Sequence, residues 1–357
     1  MRRTAVYRNE LFLQHRPGYD HPESPDRLQV IYRELDREDT GSCFVYPGFE
    51  PASTEIIGLN HSRALIEKVA ATAGHAHDFL DADTRTSEES YAAACLAAGA
   101  LVDAVNRLDR GEIDNAFCLV RPPGHHAERD RSMGFCLFNN VAIAAHWAVE
   151  ELGCRRVMIM DWDLHHGNGT QHSFYDSDKV LYCSTHQYPY YPGTGAVIEI
   201  GTGAGRGYTV NVPLAGGQGD MEYAAIFNEL ILPVARRFEP ELVLVSCGFD
   251  IYDGDPLGAM KVTPAGFAYM TRVLLELAGE VCGGRLAVTL EGGYNLQGMK
   301  EGALAVLTEL CGEELSGSYP EYLGGEYADK LEKSRRSSVR LPQLDQVVEV
   351  VGNFWDI

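Results

Sequence analysis

The sequence predicts a doubly wound α/β fold, a mostly parallel sheet flanked by helices, with the active site at the C-terminal ends of the strands. Three observations predict it. Short runs rich in Val, Ile, Leu and Cys alternate with helix-length segments, as in chains that build strand–helix–strand units. The runs are apolar on both faces, as strands buried in a parallel sheet are. Polar, chemistry-bearing residues come directly after the runs, where ligands bind in open parallel sheets.

The strand-like runs are 116–120, 157–161, 180–184, 242–247 and 286–290. Helix-like segments occupy 88–108, 139–152, 221–238, 264–279 and 296–310. The glycine-rich stretch 201–207 precedes a strand-like segment at 208–212. It does not join a strand to a helix, so it is not read as a phosphate loop. Beyond Gly312 the chain is richer in charge and Gly, and is read as a surface wrap ending in a helix near 344–354. No repeat or low-complexity linker interrupts the pattern. Residues 1–357 are therefore read as one domain, with a catalytic core over about 1–312 and a C-terminal extension over 313–357.

Composition narrows the function. With 51 acidic against 30 basic residues the net charge is -21, which excludes a general nucleic-acid binder that must displace counterions with a basic face. The acidity suits a cationic small substrate or a basic peptide. Nine cysteines are scattered singly, an odd total with no CxxC pair. They are read as reduced, which places the chain in the cytoplasm. No window approaches 18 consecutive apolar residues, so no membrane span is expected. His75-Ala76-His77 has nothing local to complete a metal site and is read as a solvated loop.

The residues directly after each run decide the chemistry. After the first comes Arg121-Pro122-Pro123-Gly124-His125-His126, and after the second Asp161-Trp162-Asp163-Leu164-His165-His166-Gly167-Asn168. The third leads into His186, the fourth into Gly248-Phe249-Asp250 and the fifth into Glu291-Gly292-Gly293-Tyr294. Asp163 and His165, two apart, can point the same way in extended backbone. With Asp250 they make two carboxylates and one imidazole, leaving a coordination position open as catalytic metal sites do. Either Asp alone would read as a helix cap; the three together read as ligands. The oxygen-rich set suits Zn(II), with Fe(II), Co(II) or Mn(II) also compatible. His125 and His126 are suited to moving protons near neutral pH. Asp161 and Asn168 flank the ligands and are placed to orient the two imidazoles. Tyr294, behind two glycines, can donate to a developing oxyanion.

These motifs resemble the histone deacetylase superfamily, especially its class II-like and bacterial members. The likeness begins at His21-Pro22-Glu23-Ser24-Pro25-Asp26-Arg27-Leu28 and continues through 121–128, 133–140, 161–169, 248–258 and 291–294 in order and spacing. The resemblance implies the arginase/deacetylase fold and a zinc amidohydrolase acting on acetyl-lysine or on an acetylated polyamine. It implies Asp163, His165 and Asp250 as zinc ligands, and His126 as general base and then acid beside His125. Tyr294 is implied as the oxyanion donor. Gly134, Phe135, Tyr191 and Leu257 would wall a tunnel for the alkyl chain. A structural potassium ion would sit at Asp161, Asp163, His165, Ser184 and His186.

Three departures from the wider family matter. Asn168 stands where class I members carry aspartate, which leaves His126 without an anionic partner. Tyr190-Tyr191 replaces two phenylalanines and gives the tunnel a polar edge. Leu257 stands where polyamine-specific members place an acidic gatekeeper, which favours acetyl-lysine over a doubly charged polyamine. The rival readings are a dimanganese hydrolase of the same fold, which needs further bridging carboxylates, and an acyl-lysine binder without turnover. No coiled coil or other pattern points to an oligomeric state.

Overall fold

The structure is a computed structural model that describes residues 2–37, 42–313, 315, 326–339 and 341–357. Its strands, in chain order, are β1 (Thr4–Tyr7), β2 (Asp78–Phe79), β3 (Arg85–Thr86), β4 (Asn115–Cys118), β5 (Val157–Asp161), β6 (Val180–Gln187), β7 (Thr209–Leu214), β8 (Leu242–Cys247) and β9 (Leu286–Leu290). β2 and β3 form a short antiparallel ribbon. The others form one seven-stranded sheet in the order β1-β4-β9-β8-β5-β6-β7. Every pairing in that sheet is parallel. From β5 the chain winds outward through β6 to β7, then returns to lay β8 on the other side of β5 and continues to β9. The reversal falls between β5 and β8, where a doubly wound sheet opens its crevice.

All five expected strands are present, and β5, β8 and β9 are buried at every position. β6 runs three residues past the apolar stretch, through Thr185, His186 and Gln187, because the neighbouring β7 pairs with them. β7 is an edge strand, which is why it tolerates Pro213, a residue with no N–H to give a further neighbour. β1 went unread, since four residues behind two arginines carry no period of their own.

The helices match the expected segments. Asn139, Thr263 and Asn295 cap the helices Asn140–Glu150, Pro264–Cys282 and Leu296–Cys311 through their side-chain oxygens. The expected helix 221–238 is divided into Asp220–Ile226, a π turn Phe227–Ile231 and Leu232–Phe238. Pro233 cannot donate within a regular α-helix, and the wider turn before it absorbs the missing bond. The helix Ser90–Asp109 is long and apolar enough to cross a membrane, a property that counting unbroken apolar residues did not reveal, but 72% of its apolar window is buried in the protein.

In the C-terminal extension, residues 316–325 lie outside the described residues. Its last helix, Pro342–Val351, packs on β7. There the Trp355 indole N–H donates to the Gly207 carbonyl (2.8 Å) and the ring meets Tyr208 edge-on at 5.3 Å. The extension thereby covers a sheet edge that would otherwise invite pairing.

Candidate metal centre and active site

β5 and β8, the strands at the reversal, each release an acidic residue just past their ends. Asp163 and His165 do point together, but through a bend and not through extended backbone. Asp163 Oδ1 accepts from the His165 backbone N–H (2.9 Å) and lies 3.2 Å from His165 Nδ1. Asp250 Oδ2 approaches the same nitrogen to 3.1 Å, while its Oδ1 accepts from the Leu164 N–H at 2.9 Å. One ligand atom from each of Asp163, His165 and Asp250 lies within 4.8 Å of the others. Gly292 donates its N–H to Asp163 Oδ2 (2.8 Å), and a Cβ at Gly292 would run into both carboxylates. Only glycine lets the backbone come so close.

Electrostatics point the same way. Burial and the neighbouring Asp163 carboxylate push Asp250 up to about 7. Burial alone would lower His165, but Asp163 and Asp250 outweigh it and raise the imidazole to about 9. A buried pair of carboxylates that draws in a proton is one that a divalent cation can satisfy in its place. The mixed nitrogen and oxygen donors, at spacings that one ion can span, fit a zinc-like metal.

The histidine pair hangs in the loop after β4. Glu291, directly after β9, accepts from the backbone N–H groups of Gly124 (2.6 Å) and His125 (3.1 Å), and Ser246 Oγ donates to its other oxygen at 3.1 Å. Burial pushes the Glu291 carboxyl up to about 7. This tether was legible only as part of a motif, although an acid at the end of an apolar run is itself a signal. His125 Nδ1 lies 3.1 Å from Asp161 Oδ2, which also accepts from the Tyr182 hydroxyl at 3.0 Å. Burial would lower His125, yet Asp163 and Asp161 raise it to about 10. His126, its ring centroid 4.0 Å away, is held well below the ordinary range by burial and by the charges on His125 and His165. Two adjacent imidazoles are thus driven apart, one cationic and one neutral, the separation that acid–base sites use.

His126 Nδ1 lies 2.8 Å from Asn168 Oδ1, as expected. As expected from Asn168, the group facing His126 Nδ1 is a neutral amide oxygen and not a carboxylate. The Asn168 amide nitrogen donates to Glu128 Oε1 at 2.5 Å, so a carboxylate stands one hydrogen bond further out.

Tyr294 comes after Gly293, whose φ is 116°. Its backbone N–H donates to Asp255 Oδ2 (2.7 Å). Arg27 holds the turn by donating to the carbonyls of Gly293 and Glu291, each at 2.5 Å, and its guanidinium lies 5.1 Å from the Tyr294 ring centre. Burial keeps the phenol protonated by raising it well above its ordinary value, so it is a donor.

Of the four expected wall residues, Gly134, Phe135 and Tyr191 stand against these groups. Gly134 and Phe135 both have positive φ, 57° and 68°. The Phe135 ring meets Tyr294 edge-on at 6.0 Å. Tyr191 stands edge-on to His126 at 5.1 Å and to His165 at 6.1 Å. Leu257 is half-buried, and its carbonyl accepts from the Tyr190 hydroxyl at 3.0 Å; that part of the expected polar edge fastens the Leu257 loop. The loop carrying β2 and β3, which sequence alone could not place, is fastened to the wall where Phe135 N–H donates to Thr84 Oγ1 (3.1 Å). His75 and His77 are exposed and stand apart from the ligand cluster. For the expected potassium positions, the parallel register sets Asp161 beside Ser184, and Ser184 Oγ lies 2.9 Å from His186 Nδ1.

Comparison with known proteins adds to this geometry. Residues 21–310 match the histone deacetylase domain. The chain is 42% identical over 327 residues to histone deacetylase 15 of Arabidopsis thaliana, covering 89% of this chain and 58% of that protein. It is 40% identical over 319 residues to histone deacetylase HDA1 of Candida albicans, covering 82% of this chain and 38% of that one. A probable deacetylase of Archaeoglobus fulgidus is 36% identical over 359 residues, 99% of this chain and 98% of its own length. The crystal structure of the HDA15 HD domain superposes with a TM-score of 0.88 at 37% identity, covering 99% of this chain and 96% of that one. The chain spans about half the length of the plant and fungal relatives it matches.

Proposed function

The chain belongs to the histone deacetylase family, and on that premise we propose that it hydrolyses the N-acetyl amide of acetyl-lysine in a protein or peptide. The observation that carries the reading is the meeting of the Asp163–His165–Asp250 cluster with a histidine pair split into a cationic and a neutral member. Asp163, His165 and Asp250 would hold the catalytic cation, Zn(II) by the donor set and Fe(II) or Co(II) by the same chemistry. Bound there, the metal would polarise the acetyl carbonyl and lower the pKa of water.

The chain's own residues supply the rest. His126, neutral and donating from Nδ1 to Asn168, keeps Nε2 free to take a proton from the attacking water and return it to the leaving amine. His125, held as imidazolium between Asp161 and Asp163, keeps the charge beside it constant through that exchange. The Tyr294 phenol donates to the oxygen on which charge develops. Gly134, Phe135, Tyr191 and Leu257 confine the alkyl chain and exclude water. Asp161, Ser184 and His186 would hold a structural potassium ion. We read residues 1–357 as one catalytic domain, supported among the described residues by the seven-stranded sheet and a buried core that runs from Ala5 to Val351. The nine free thiols, all but Cys43 buried, support a reducing cytoplasm.

A second reading, an acetylpolyamine substrate, is favoured by the net charge of -21. Acetate release from an acetyl-lysine peptide, measured beside N-acetylated putrescine and spermidine, separates the two. Faster peptide turnover is expected from the neutral Leu257; faster polyamine turnover would overturn that choice, and no acetate from either would leave a binder without turnover.

A further inference from the structure

The Asn168 amide is buried between two groups of unlike hydrogen-bonding capacity. On one side lies His126 Nδ1, 2.8 Å from Oδ1. On the other lies Glu128 Oε1, 2.5 Å from Nδ2, which also donates to the His126 carbonyl over a longer 3.3 Å. An imidazole nitrogen accepts or donates according to tautomer, whereas an ionised carboxylate only accepts. The carboxylate therefore dictates which end of the amide faces it. Turned over, the amide would set its oxygen against a carboxylate oxygen, a pairing with no proton between the two atoms.

Glu128 is itself built into place. Its backbone N–H donates to Arg131 O (2.8 Å), and its carbonyl lies 2.9 Å from His61 Nδ1. Its side chain is only 17% exposed, and it is met from outside by His172 Nδ1 at 2.8 and 3.0 Å from the two oxygens. His172 is raised above its ordinary value by that hydrogen bond to Glu128.

We propose that Glu128 is a positioning residue of the reaction: by accepting from the Asn168 amide nitrogen it turns the amide oxygen to His126 and so keeps His126 in the tautomer whose Nε2 can receive a proton. The proposal rests on the deacetylase reading for its catalytic consequence, while the tautomer it fixes is a property of the protein alone. Glu128 does the work that an aspartate at position 168 would do unaided. A carboxylate there has no donor end to present to His126, whereas an amide does and needs a third residue to orient it.

The test uses the full chain with His126 assigned by nitrogen-15 NMR at neutral pH, alongside steady-state kinetics of the zinc-loaded protein. In Glu128→Ala the amide keeps only the long contact to the His126 carbonyl, so the turned-over amide and the Nε2-protonated form of His126 become populated, and kcat falls about 10- to 100-fold with KM held, the usual scale for removing such an orienting partner. In Glu128→Gln the side-chain oxygen is turned inward by Asn168 Nδ2 and His172 Nδ1, which both meet Glu128 Oε1, so tautomer and most of kcat are retained. In Asn168→Asp the residue at 168 needs no orienting partner and its second oxygen faces the Glu128 carboxylate, so adding Glu128→Ala to that variant leaves kcat unchanged or raises it; this comparison stands even where Glu128→Ala alone fails to fold. An unchanged tautomer with wild-type kcat in Glu128→Ala overturns the proposal. So does a further large loss on adding Glu128→Ala to Asn168→Asp. No acetate release from wild type, together with the tautomer change in Glu128→Ala, overturns the deacetylase reading and leaves the assignment to Glu128 intact.

Discussion

Tyr294 is held from three sides: its backbone by Asp255, its turn by Arg27, and its ring by the Arg27 guanidinium and Phe135. Such fixing is what an oxyanion donor requires, since a donor that must reorganise loses much of its advantage. Tyr294→Phe is expected to keep its metal and lose on the order of 100-fold or more in kcat. Metal analysis beside kinetics checks it, and equal rates for variant and wild type would show the role misassigned. Asp163, His165, Asp250 and Tyr294 were legible because each stands behind an apolar run, where position and chemistry coincide. Glu291, Asp255 and Arg27 were present in the same motifs but silent. They act through backbone N–H and carbonyl groups, and no pattern of side-chain types reports which backbone group a distant carboxylate or guanidinium will reach.

At the level of elements, the residues following the strand ends carry the candidate ligands and the loops between them carry the proposed walls. The strands were readable because buried parallel strands are apolar on both faces. β1 and the tail of β6 were not, since pairing with a neighbour, and not composition, makes them strands. The bend that joins Asp163 to His165 also escaped the period-two argument, because the strand stops at Asp161. Gly134 shows how tightly one of these loops is set. It has φ 57°, and an added Cβ would fall on the His126 ring. Gly134→Ala is therefore expected to displace His126 and cut kcat by on the order of 100-fold, the scale of about a 1 Å misplacement of a reacting group, with metal content unchanged. Loss of metal in that variant would instead mean that the loop supports the ligand cluster.

Across the whole molecule, the N-terminal segment is bound to the sheet through buried charge. Glu23 pairs with Arg27 at 2.8 Å and with Arg121 at 2.5 Å, and Arg121 also donates to the carbonyls of Phe12 (2.8 Å) and His15 (3.0 Å). Burial opposes ionisation of Glu23, but Arg121 and His15 outweigh it and hold the carboxyl well below its ordinary value of 4.5. A carboxyl lowered in the folded state contributes stability above its unfolded pKa and loses it as pH falls. Glu23→Gln is thus expected to cost about 3–5 kcal/mol near neutral pH, the scale of breaking a buried pair. The gap to wild type should narrow below pH 4.5; denaturant unfolding at several pH values checks it, and a gap independent of pH would contradict the charge assignment. The Glu23–Arg121 link was not legible beyond its motifs, because it joins residues 98 positions apart.

The central claim is one catalytic metal per chain, held by Asp163, His165 and Asp250. It is tested most directly by titrating metal-stripped protein with zinc while monitoring acetate release from an acetyl-lysine peptide. Activity is expected to rise and saturate at one equivalent, with none in Asp250→Ala, which should fail to retain the metal. Saturation at two equivalents, or full zinc retention by Asp250→Ala, would contradict it.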